Sequence, residues 1–150
     1  VDDIPIRPEA VAAARWWVDT ITAPPKNDEY GDAALNAGMA RSRLQPAPTT
    51  WTPEQVEAFR VELERRIDAH CAETSWRPDE PNYGSGVRVM ICDYGPDPVL
   101  KDAAEAVGLR LQNRDTPAKT FVWVNPGEVK AQLGYSAPRE VVWSEEYGRG

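Results

Sequence analysis

An α+β fold is predicted for this chain of 150 residues, and three observations predict it. Apolar residues recur at helical spacing through the first half, with caps and prolines marking where helices begin and end. After residue 86 the pattern changes to a strand, a tight turn and a helix. Period-two alternation then runs on both sides of Asn125, Pro126 and Gly127. The expected arrangement is an N-terminal three-helix segment packed on a small C-terminal mixed sheet that holds a strand–helix–strand unit and a hairpin. A chain of this length is most simply one domain, with enough apolar material for a core that needs no disulfide or structural metal. Its parts are an extended arm (1–7), a mainly helical half (8–76), a connection (77–86), a β-α-β-β half (87–144) and a tail (145–150).

Pro5 and Pro8 keep the first residues extended, and Pro8 followed by Glu9 suits a helix start. On a helical projection Ala10, Val11, Ala14, Trp17, Val18 and Ile21 share one face. Trp16 falls on the other side, near Glu9, Asp19 and Thr20, where an indole either packs against a second element or is presented to a partner. Pro24 and Pro25 end this helix. A second helix is expected over 28–44, with an alanine-rich stripe through Ala33, Ala37 and Ala40 that Gly31 and Gly38 weaken.

The third helix, expected over 53–74, has the clearest local signal. Thr52, Pro53 and Gln55 supply an N-cap, a first-turn proline and a capping-box glutamine, while Trp51 and Val56 are placed as a hydrophobic staple. Val56, Phe59, Leu63 and Ile67 form its buried stripe, which continues to His70 and Cys71. Adjacent helical residues point about 100° apart, so His70 is badly placed to activate Cys71. The segment 76–86, rich in proline, glycine and acid, reads as a connection long enough to be mobile.

Val87, Val89 and Ile91 alternate with Arg88, Met90 and Cys92, and both sets are largely apolar, as in a strand covered on most of its two faces. Only Arg88 argues against full burial. Asp97 before Pro98 is an N-cap followed by a first-turn proline, and Gly108 followed by Leu109 has the form of a C-terminal cap. Anions favour open amides at a helix N-terminus, but the Asp97 carboxylate would occupy those amides here. Asp93 and Asp97 together offer two carboxylates to a hard cation such as Mg²⁺; the plainer reading makes Asp97 a cap and Asp93 a turn former.

Residues 110–112 suit a short strand, and 120–124 a firm one, with Phe121 and Trp123 on one face and Val122 and Val124 on the other. Asn125 to Glu128 fits either a type II turn between two strands or a capped helix start. The unbroken alternation of Val129, Ala131 and Leu133 against Lys130 and Gln132 favours the hairpin. A last strand is expected over 140–143.

The formal charge of −7 and a pI near 4.8 speak against a general nucleic-acid binder, which needs a basic surface. No apolar run suits a membrane span or a signal peptide, and Cys71 and Cys92 lack metal-ligand spacing. A cytoplasmic protein with reduced thiols is therefore expected, although a Cys71 to Cys92 bridge stays open.

The segment from Cys92, Asp93, Tyr94, Gly95, Pro96 and Asp97 to Gly108, with Phe121 to Gly127, resembles small uncharacterised proteins of actinobacterial phages and prophages. That resemblance implies an accessory protein acting on a host component. From the residues themselves, the leading function is binding another protein without catalysis and without a cofactor. Its candidate contact residues are Trp16, Trp76, Arg88, Tyr94 and Trp123. The rival readings are a metal-assisted phosphoester or nucleotide hydrolase using Asp93 and Asp97, and a protein that sequesters a small nucleotide on aromatic and basic side chains. A homodimer is compatible with the same surface.

Overall fold

Thr52 caps its helix as the sequence dictates: its hydroxyl accepts the Gln55 N–H at 3.2 Å, and the Gln55 side chain accepts the Thr52 N–H at 2.8 Å. The computed structural model in which this is seen describes residues 5–22, 51–93, 95–112, 115–116, 119–134 and 137–145. The helix expected over 28–44 lies outside the described residues. The elements are helices α1 (Pro8–Thr22), α2 (Pro53–Glu73) and α3 (Ser85–Arg88), strand β1 (Met90–Cys92), helix α4 (Pro98–Ala106), and strands β2 (Thr120–Asn125), β3 (Glu128–Leu133) and β4 (Glu140–Ser144).

The four strands form one sheet in the order β1-β2-β3-β4, with every neighbouring pair antiparallel. The fold is thus α+β, but its sheet is antiparallel throughout rather than mixed. The reason is that β1, α4 and β2 do not make a parallel crossover: α4 returns the chain so that β2 runs back along β1, pairing Ile91 with Phe121. The turn between β2 and β3 is the hairpin. Gly127 takes φ 83° there, the left-handed conformation that the third position of a type II turn requires.

Alternation fixes which face is covered. Thr120, Val122 and Val124 on β2, Val129 and Ala131 on β3, and Met90 and Cys92 on β1 point inward and are buried. Against them lies α1, through Ala10, Ala13, Ala14, Trp17, Val18 and Ile21, and α2 packs on α1 and joins the same core through Phe59, Leu63, Ile67 and Cys71. α4 adds Leu100, Ala103 and Ala104 and packs on α2. These described helices therefore sit on the inner side, and burial of these side chains supplies the main drive to fold.

Three expectations need correction. Val87 and Arg88 belong to α3, not to a strand, so β1 is three residues long; Arg88 leaves the strand pattern because its guanidinium is the anchor of this turn. Residues 110–112 pair with no strand, and Leu109 and Leu111 instead plug the core from a loop. The 76–86 connection is a series of hydrogen-bonded turns tied to Arg88. Glu9, read from the sequence only as part of a helix start, is buried, and its Oε2 accepts the Gly127 N–H at 2.7 Å, joining the first turn of α1 to the hairpin.

Candidate partner-docking face

Because the described helices cover one side of the sheet, the side chains of opposite parity form an outer face. β2 contributes Phe121 and Trp123, whose rings stack with centroids 5.8 Å apart and planes 16° from parallel. Ile91 lies beside Phe121 in register and is 41% exposed. Lys130 lies beside Trp123, and Val141, 45% exposed, lies beyond it on β4. The Arg139 guanidinium covers the Trp123 ring at 4.1 Å, a cation–π contact. The result is an apolar, aromatic-centred strip edged by two cations, one of which, Lys130, also reaches Glu128 at 3.4 Å.

The other candidate residues fall elsewhere. Trp16 sits edge-on to Trp17, 5.2 Å between centroids, and lines a groove of about 560 Å³ between α1 and β4 with Val11, Ala12, Val142 and Trp143. Trp76 is half-buried with Arg7 at 5.2 Å and Arg88 at 5.3 Å from its ring. Arg88 is 1% exposed and bonded to backbone carbonyls, so it offers nothing to a ligand. Tyr94 lies outside the described residues.

Asp97 does what a cap and a first-turn proline dictate. Its Oδ1 accepts the Val99 N–H at 2.9 Å, and its Oδ2 accepts the Ile91 N–H at 2.9 Å. Burial raises its pKa above the ordinary carboxyl value, although the Ile91 and Val99 amides pull the other way. Both oxygens thus already serve backbone donors, and Asp93 is exposed. Among the described residues no group of three His, Cys, Asp or Glu side chains is placed to hold a metal ion. Cys71 and Cys92 are free thiols, both buried, and burial pushes each up to about 12. The His70 ring Nε2 lies 3.2 Å from the Val87 carbonyl oxygen rather than beside a thiol.

Sequence reasoning singled out Trp123 and missed its neighbours. The signal was present: β2 is apolar on both faces, whereas a strand with helices on one side needs to be apolar on that side alone.

This arrangement has close counterparts. The family model described as "BTG family" matches residues 42–143. The chain belongs to the BTG family. It is 32% identical to human Tob1 over 94 residues, covering 61% of this chain and 27% of Tob1. A Dictyostelium discoideum BTG family protein is 29% identical over 132 residues, covering 85% of this chain and 25% of that protein. Human BTG1 is 32% identical over 82 residues, covering 53% and 47%. This BTG-family chain therefore spans a quarter to a half of the length of these relatives. The BTG/Tob domain of C. elegans FOG-3 shares its fold, with a TM-score of 0.61 at 17% identity over 91% of this chain and 80% of that one.

Membership overturns the phage resemblance. Residues 92–108 and 121–127, which carried it, lie inside the BTG match, and the relatives are animal and amoebal. Among the described residues no helix is long and apolar enough to cross a membrane.

Proposed function

We propose that this BTG-family domain acts by docking on a partner protein through the outer face of its sheet, with no chemistry of its own. The observation that carries the reading is the stacked pair of Phe121 and Trp123 on the side of the sheet away from the described helices, flanked by exposed Ile91 and Val141. Aromatic anchors of this kind dominate binding energy when a partner desolvates them. The family supports the same reading, since BTG/Tob proteins are small regulators that bind partner proteins.

Arg139 and Lys130 at the edges favour a partner that presents an apolar side chain with a carboxylate beside it. A reducing compartment such as the cytoplasm suits the two free thiols. The test is a photo-crosslinking amino acid placed at Gln132, on the outer face, and at Ala69, on the exposed side of α2. Position 132 should give a discrete protein adduct in cell extract that disappears with Trp123→Ala, and position 69 should give none. Equal labelling from both positions would remove the case for this face.

A further inference from the structure

Arg139 stands one residue before β4, on the same side of the sheet as Val141, because Glu140 between them pairs with the inward-facing Ala131. Its guanidinium does not stay at that edge. It crosses β3, the strand between β4 and β2, and comes to rest 4.1 Å from the centre of the Trp123 ring.

Elsewhere on the domain arginines meet acids. Arg7 bonds Asp68, Arg60 bonds Glu57 and Glu64, and Arg66 bonds Glu62. Arg139 meets no carboxylate or carbonyl among the described residues, although Asp and Glu outnumber Lys and Arg by 24 to 17 in the chain. Arg15 and Arg110 share that state among the described residues, but neither is held over a ring. Lys130, the other cation of the strip, reaches Glu128 at 3.4 Å, so its charge is already answered.

A guanidinium is flat and its N–H groups lie in its plane, so contact with a ring face leaves the donors around its rim open. Trp123 thus holds the fork in place without using it. A carboxylate meets such a fork through paired, parallel hydrogen bonds, a match that the ammonium of a lysine cannot make.

We infer that Arg139 sets partner specificity on this face: with Trp123 as its platform, it reads an aspartate or glutamate side chain of the docked protein, while Lys130, already paired, does not. The inference deepens the docking reading above and rests on it. Because the guanidinium is placed before the partner arrives, little side-chain freedom is lost on docking. Val141 and Ile91 nearby are exposed and apolar, so the acid that fits is one flanked by apolar side chains.

The experiment starts from the adduct formed through position 132. Mass spectrometry of the adduct gives the partner and the peptide in contact, and the purified partner is then titrated against the unaltered chain, Arg139→Gln and Arg139→Lys. Arg139 is exposed and outside the core, so both variants should melt within a few degrees of the parent. Binding should weaken by about tenfold or more in Arg139→Gln and by less in Arg139→Lys, which keeps the charge without the fork. Added salt should weaken binding more steeply in the unaltered chain than in Arg139→Gln. Arg139→Glu should abolish binding, and replacing the contacted Asp or Glu of the partner by Arg should restore it, a repair that a merely structural arginine would not allow.

Unchanged binding by Arg139→Gln overturns the assignment. So does tighter binding, which would make the guanidinium a cover over Trp123, and so does a contact peptide with no Asp or Glu or with a phosphorylated side chain as its anion. If the unaltered chain forms no adduct at all, the docking reading falls and this inference with it, whereas full binding by the Arg139 variants leaves the docking reading standing.

Discussion

Asp97 holds the Ile91 N–H at 2.9 Å with the carboxylate oxygen that its own helix does not use. Ile91 is the middle residue of β1, the outer strand of the described sheet, and its side chain belongs to the proposed docking face. One carboxylate therefore caps α4 and also covers an amide on the edge of the sheet, where a bare donor would invite pairing with another chain.

Removing that carboxylate should cost stability through both bonds. Asp97→Ala is expected to lower the unfolding free energy by about 1–3 kcal/mol, the sum of a lost N-cap and an unmet edge donor. Asp97→Asn, which keeps one acceptor oxygen, should lose less. Urea unfolding of the three proteins checks the order.

The same group sets a pH dependence. Burial raises the Asp97 pKa in the folded chain above its ordinary value of 3.8, so the folded state binds this proton more tightly than the unfolded state. Its contribution to stability is therefore greatest below the ordinary carboxyl pKa and declines as pH rises through the raised folded value. The difference in unfolding free energy between the unaltered chain and Asp97→Asn should shrink across that window. A difference that grows with pH would reverse the sign.

Glu9 offers a sharper stability test. Its carboxylate is buried and accepts the Gly127 N–H at 2.7 Å across 118 positions of sequence. Glu9→Ala should cost about 1–3 kcal/mol by leaving that amide unmet, and calorimetry should show the lower Tm.

Much of this fold was legible in local chemistry. Thr52 and Gln55, Asp97 and Pro98, and Pro126 and Gly127 each mark an element end by a rule that involves only near neighbours, and each rule holds. What was illegible depends on partners far away in sequence. Nothing local marks Glu9 as buried until Gly127 is beside it, and Arg88 reads as the one residue against full burial of its strand until five acceptors from two segments surround it. The proposed docking strip was half legible for the same reason. Trp123 announces itself, but its fellowship with Ile91 and Val141 exists only through strand register.

The thiols give a prediction on chemistry. With Cys71 and Cys92 both buried and raised to about 12, the folded chain should resist alkylation at pH 8 and react at both sites once unfolded in guanidinium. Mass spectrometry of iodoacetamide-treated protein counts the adducts.

The most direct test of docking through the sheet is the affinity of the crosslinked partner, once purified, for the unaltered chain and for Trp123→Ala. Trp123 is on the outer face and not in the core, so the variant should melt within a few degrees of the parent. Titration calorimetry should nonetheless show binding weakened by about thirtyfold or more, the loss of about 2 kcal/mol that marks an anchor residue. Equal affinity in a correctly folded Trp123→Ala variant would contradict the account.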